Sequence, residues 1–122
     1  MKKLLIVDDE DNIRRLLSAT LAGGQYEVLQ ARDGKNALAL IQRERPDFVL
    51  LDVAMPGLDG IEVCRQVKAS PALRGTTVVM LTAQAQTEVR RRATEAGADV
   101  FLTKPFSPLQ ILEIVERKVV KG

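Results

Sequence analysis

Five short runs of apolar, β-favouring residues alternate with five stretches of helical period along the chain, and this alternation restricts the fold more than any other feature of the sequence. The runs fall at residues 4–7, 27–31, 48–51, 78–81 and 100–102. The first, third and fourth are continuously apolar, as strands buried on both faces of a parallel sheet must be. The second, opening at Glu27, mixes polar and apolar residues and reads as an edge strand. Between the runs, Ile13, Leu16, Leu17 and Leu21 mark the inner stripe of a first helix stopped by Gly23-Gly24. Asp33 is placed to cap a second helix that carries Leu38 and Ile41 and ends before Pro46. Ile61, Cys64 and Val67 give the third its stripe, and Val89, Ala93 and Ala96 the fourth, which stops at Gly97. Ser107-Pro108-Leu109-Gln110 has the form of a capping box with proline at the first helical position, opening a fifth helix with Leu112, Val115 and Val119 inward.

Parallel strands joined by helical crossovers predict an α/β fold: a three-layer, doubly wound (βα)5 sandwich. Its five-stranded parallel sheet is expected to carry helices on both faces. With 122 residues, 46% of them hydrophobic, the chain supports one core and not two, so a single domain over residues 1–122 is expected. Both signs of charge are spread along it and the net charge is only +2, which gives no strong field for nucleic acid or a membrane surface. Cys64 has no partner for an internal disulfide, and the four apolar residues between Lys3 and Asp8 are too few for a secretory signal. No apolar run approaches the roughly 20 residues of a membrane span. These features together predict a cytoplasmic protein. Histidine is absent, which excludes Ser-His-Asp and Cys-His catalysis, histidine-ligated metals and a histidine phosphocarrier. Covalent chemistry must rest on carboxylates, hydroxyls or lysines.

Ligands of open α/β sheets bind beyond the carboxyl ends of the strands. There the sequence places Asp8-Asp9 after the first strand, Asp52 after the third, Thr82 after the fourth and Lys104-Pro105 after the fifth. Each alone is the polar residue expected where a buried strand surfaces; four at one edge make a constellation. Carboxylates converging on one crevice repel each other by roughly 4 kcal/mol per pair at about 4 Å and an effective dielectric near 20. A hard divalent cation offsets that, and Mg²⁺ characteristically takes one or two carboxylates, waters and a phosphoryl oxygen. A carboxylate beside Mg²⁺, an ammonium and a hydroxyl is equipment for phosphoryl transfer through an acyl phosphate.

From Leu4 through the last helix, the chain resembles the response-regulator receiver domains of two-component systems. The resemblance rests on Val7-Asp8-Asp9-Glu10, Leu50-Leu51-Asp52-Val53-Ala54-Met55-Pro56-Gly57, Leu81-Thr82-Ala83 and Thr103-Lys104-Pro105-Phe106. It implies the flavodoxin-like sheet order 2-1-3-4-5, that Asp52 is the phosphoacceptor, and that Asp8, Asp9, Asp52 and the backbone carbonyl of Ala54 hold Mg²⁺. It implies further that Lys104 pairs with the phosphoryl group, that the Thr82 hydroxyl moves to bond it, and that the Lys104-Pro105 peptide is cis. Phe101 matches the family's switch aromatic, which couples the site to the surface of helix 4, strand 5 and helix 5; by residue type alone it is equally a core phenylalanine. Ala54 and Gln84 would flank the path of an attacking water. The implied partners are a histidine kinase or histidine phosphotransfer protein upstream and an output protein or domain downstream, with no direct contact to nucleic acid or membrane. The implied function is that of a stand-alone relay or the receiver part of a larger regulator, not an enzyme beyond self-catalysed phosphorylation and dephosphorylation. Positions often charged in the family's DNA-binding dimers are here Val100, Gln110 and Ile114, against the usual charged dimer.

Three other readings fit less well. Flavin binding needs a phosphate-friendly loop after the first strand, where this chain has Asp8-Asp9-Glu10-Asp11. A haloacid-dehalogenase-like phosphatase requires its paired aspartates two residues apart, whereas Asp8 and Asp9 are adjacent. A pure interaction module would not need an intact set of site residues. Elsewhere Cys64 reads as a small buried hydrophobe and Arg90-Arg91-Arg92 as a solvated helix face.

Overall fold

A computed structural model describes residues 2–24, 26–55, 57–83 and 87–121, with side chains described as far as Arg117. Five strands alternate with five helices: β1 (Lys2–Val7), α1 (Asp11–Leu21), β2 (Tyr26–Ala31), α2 (Gly34–Glu44), β3 (Phe48–Asp52), α3 (Gly60–Ala69), β4 (Thr77–Thr82), α4 (Thr87–Glu95), β5 (Val100–Thr103) and α5 (Pro108–Lys121). All four strand pairings are parallel, and the sheet runs in the order β2-β1-β3-β4-β5. The mixed β2 is thus an edge, while β1, β3 and β4 occupy the interior that their unbroken apolar runs demand.

Because side chains alternate across a strand, the sheet sorts its residues into two cores. Leu5, Val7, Val49, Leu51, Val78 and Met80 pack beneath α2, α3 and α4, against Ala37, Ile41, Ile61, Cys64, Val67 and Ala93. Leu4, Ile6, Phe48, Leu50, Val79 and Leu81 pack on the other face, against Leu17 and Leu21 of α1 and Ile111 and Val115 of α5. Burying each such aliphatic side chain stabilises by roughly 1.5–3 kcal/mol relative to leaving it in water.

The helix ends follow local chemistry. Asp33 accepts from the Asn36 amide and Asp59 from the Glu62 amide, capping α2 and α3. Ser107 and Gln110 exchange bonds in both directions, a complete capping box at the start of α5. Gly97, at φ +97°, gives the chain the left-handed turn that follows α4.

The helical stripes differ from expectation at named positions. Leu16 is exposed, while Leu17 and Leu21, four residues apart, face the sheet. Ala37 and Ile111 are the fully buried residues where Leu38 and Leu112 were expected, and both leucines are only partly covered. The side chain of Val119 lies outside the described residues. Cys64 is fully buried, and its thiol donates to the Ala96 carbonyl at 3.6 Å. Arg91 pairs with Glu88 and Glu95 along the outer face of α4, as a solvated helix surface does.

Candidate functional site

The register of the parallel ladder brings the strand ends together. Leu51 of β3 lies opposite Val7 of β1 and Met80 of β4, so Asp8 and Asp52 leave the sheet at one edge. Main-chain bonds continue past the strands. The Asp8 amide donates to the Ala31 carbonyl at 3.2 Å, Val53 to Leu81 at 2.9 Å and Lys104 to Thr82 at 2.6 Å. Asp8, Asp52 and Thr82 are buried there, while Asp9, Glu10 and Ala54 are exposed around them.

α3 reaches this edge through Gly60. A β-carbon on Gly60 would stand 2.1 Å from the Asp52 carbonyl oxygen, and the Gly60 amide donates to the Val53 carbonyl at 3.0 Å. Only a residue without a side chain allows the helix start to sit directly against the main chain of Asp52.

Lys104 extends back over the strand ends. Its ammonium donates to Asp8 Oδ2 at 3.1 Å and lies 3.4 Å from Asp52 Oδ1, so one cation serves two buried carboxylates. Asp8 Oδ1 accepts from the Glu10 amide at 2.9 Å. The Asp52 carboxyl is raised to about 6, by burial first and by the Asp8 carboxylate second, against the opposing pull of the Lys104 ammonium. For Lys104, burial alone would lower the ammonium's pKa, but the Asp52 and Asp8 carboxylates outweigh it and leave the pKa raised. The peptide between Lys104 and Pro105 is cis.

The carboxylate oxygens of Asp8, Asp9 and Glu10 lie within 4.8 Å of one another, a set of hard donors suited to a hard divalent ion. Glu10 is a member of this cluster that the sequence did not single out. Beside it, Asp9, Arg32, Asp33, Lys35, Gly57 and Leu58 line an open hollow of about 730 Å³.

Phe101 is half-buried against the core under α2–α4, and the Arg90 guanidinium lies 4.9 Å from its ring centroid. That contact gives one member of the arginine run a specific partner, where a purely solvated face was expected. Gln84 lies outside the described residues.

A second unanticipated contact is Arg14, whose guanidinium donates to the Asp8 carbonyl at 2.7 Å and pairs with Asp11. The spacing of Arg14 three residues after Asp11 hints at the ion pair, but nothing in the sequence marks a bond to a main-chain carbonyl.

Residues 4–116 match the family model of the response regulator receiver domain. The chain belongs to that family. This receiver domain is 43% identical over 110 residues to the alkaline phosphatase synthesis transcriptional regulatory protein PhoP of Bacillus subtilis, covering 90% of the chain and 45% of that protein. It is 45% identical over 109 residues to the response regulator PleD of Caulobacter vibrioides, covering 89% of the chain and 24% of PleD. The receiver domain therefore spans less than half the length of these two relatives. Among solved structures it is similar to the chemotaxis protein CheY4 of Vibrio cholerae, with a TM-score of 0.89, 38% identity and coverage of 96% and 98% of the two chains. The domain is thus a receiver of two-component signalling with the flavodoxin-like sheet order. Among the described residues, no helix is long and apolar enough to cross a membrane.

Proposed function

We propose that this receiver domain accepts a phosphoryl group on Asp52 from a histidine kinase or histidine phosphotransfer protein, in a Mg²⁺-dependent reaction in the cytoplasm. The observation that carries the reading is the shared ammonium of Lys104, 3.1 Å from Asp8 and 3.4 Å from Asp52, at an edge where several strands end. Two buried carboxylates held around one cation form a site that gains from more positive charge and is ready for an anion that brings its own counterion.

Asp8, Asp9, Asp52 and the carbonyl of Ala54 would hold the metal, and Glu10, exposed beside them, stands near the same opening. When bound, Mg²⁺ supplies neutralisation of charge on the phosphoryl oxygens. The protein's own groups do the rest. An Asp52 carboxylate oxygen attacks phosphorus as the bond from phosphorus to the donor's imidazole nitrogen breaks, and the electron pair returns to that ring. Lys104 turns from the carboxylates toward the new phosphoryl oxygens, and the Thr82 hydroxyl donates to another of them. Movement at Thr82 reaches Phe101 because Thr82 pairs with Thr103 in the β4–β5 ladder, two residues beyond Phe101. The readout surface is α4, β5 and α5, offered to an output protein or a linked output domain. Within this reading the chain is one domain, either free-standing or part of a longer regulator, with no direct contact to DNA.

Intact-mass analysis tests it. Wild type and Asp52→Asn are incubated with a small acyl-phosphate donor, with Mg²⁺ and with chelator. A gain of one phosphoryl group only in wild type and only with Mg²⁺ supports the reading; no gain under any condition favours an interaction module with an idle site.

A further inference from the structure

We propose that Arg14 is a positioning residue for the acidic crevice, holding the peptide between Asp8 and Asp9 in the orientation that presents both carboxylates. The proposal rests on the Mg²⁺-binding reading given above. Residues 8–11 are four successive carboxylates, and such a segment has every electrostatic reason to splay apart. Arg14 lies one helical turn beyond Asp11, and its side chain is only 13% exposed. Its planar guanidinium serves two groups at once: Nη1 donates to the Asp8 carbonyl at 2.7 Å and Nη2 pairs with the Asp11 carboxylate.

With that bond, every polar atom of Asp8 has a partner. Its amide donates to Ala31 of β2, its carbonyl accepts from Arg14 of α1, Oδ1 accepts from the Glu10 amide, and Oδ2 accepts from Lys104 beyond β5. The Asp8 carbonyl and the Asp9 amide belong to one rigid peptide plane. A carbonyl without the guanidinium turns toward water, and the plane takes Asp9 with it. Asp9 is exposed and has no comparable set of bonds, so its direction depends on this plane.

Charge and positioning predict opposite signs. If Arg14 acted only as a cation near the crevice, its removal would tighten binding of a divalent cation. If it positions the loop, removal weakens binding, by about tenfold on the scale of outer-shell partners of metal ligands. Arg14→Met keeps the apolar stem and removes both donors; Arg14→Lys keeps the charge without the fork.

Calorimetric titration with Mg²⁺ is paired with amide hydrogen exchange on the metal-free proteins. Expected are about tenfold weaker Mg²⁺ binding in both variants and at least tenfold faster exchange at Glu10, whose amide is bonded to Asp8, with protection in β3 and β4 retained. Unchanged or tighter Mg²⁺ binding in Arg14→Met, or unchanged exchange at Glu10, overturns the proposal. A wild type that binds no Mg²⁺ overturns the crevice reading itself, and the exchange measurement then still decides whether Arg14 orders the loop.

Discussion

Lys104 Nζ lies 3.4 Å from Asp52 Oδ1, and the same ammonium donates to Asp8 at 3.1 Å. Both carboxylates are buried, so their mutual repulsion in the metal-free protein is offset chiefly by this one side chain, which arrives from beyond the last strand. The arrangement ties the two ends of the sequence together across 96 positions.

Removing Lys104 therefore has two effects of different kinds. In chelator at pH 7, Lys104→Ala is expected to lose about 2 kcal/mol of stability, below the 3–5 kcal/mol of fully buried pairs because Lys104 retains some exposure. Mg²⁺ should restore more stability to the variant than to wild type, since it supplies the missing positive charge. Denaturant melts with and without Mg²⁺ measure both quantities, and phosphorylation of the variant should leave probes on α4 and α5 unmoved. An equal Mg²⁺ response in the two proteins would count against a shared electrostatic role.

Mg²⁺ itself should stabilise wild type. At ten times its dissociation constant, binding to the folded state alone contributes about 1.4 kcal/mol. For a domain of this size that is a rise of several degrees in Tm. Asp9→Ala should abolish most of the rise while leaving the metal-free Tm nearly unchanged, because Asp9 is exposed. Thermal scans over millimolar Mg²⁺ check both expectations.

How much of this was legible in the sequence depends on the kind of contact. Unbroken apolar runs such as Leu4-Leu5-Ile6-Val7 have only one place to go in a parallel sheet, and the residues that follow them must surface at its edge. Asp8, Asp52, Thr82 and Lys104 were visible for that reason. The phase of a helix is harder to read where leucines are adjacent. Leu16 and Leu17 differ by about 100° around α1, and only the docked helix decides that Leu17 is inside. In α2 the small Ala37 lies beneath a helix packed close to the sheet, where a reading by hydrophobicity favours the larger Leu38. Arg14 and Gly60 were missed because each meets a main-chain carbonyl, and the residue type of a carbonyl's owner carries no signal.

The buried thiol of Cys64 gives a prediction far from the site. Burial raises its pKa to about 11, so very little thiolate exists at neutral pH, and the side chain is fully covered. Alkylation by iodoacetamide at pH 7.5 should be at least ~100-fold slower in the native protein than in denaturant. Mass spectrometry over time provides the rates, and fast native labelling would contradict the packing of α3 against Ala96.

The small clearance at Gly60 sets a mechanical constraint on the site. A β-carbon there would meet the Asp52 carbonyl at 2.1 Å, so Gly60→Ala forces α3 away from the end of β3, at a cost of about 1–3 kcal/mol as for other overpacked contacts. The shift also moves the Asp52 main chain, so phosphorylation by a small donor should slow even where the variant is fully folded. Chemical denaturation and intact-mass kinetics separate the two losses.

The titration of Asp52 shapes stability in the absence of metal. Its folded pKa of about 6 lies above the ordinary value of 3.8, so between those values the folded chain binds more protons than the unfolded chain. Stability from this group is therefore fully present below about pH 4 and is lost as pH rises through 6. Two pH units correspond to about 2–3 kcal/mol. Asp52→Asn removes the titration, and in chelator it should be more stable than wild type at pH 7 by an amount of that order, with the gap closing toward pH 4. Comparing the two proteins cancels the carboxylates remote from the site, which titrate alike in both. A gap independent of pH would mean that Asp52 does not carry the burden of burial, and that Lys104 already neutralises it in the metal-free fold.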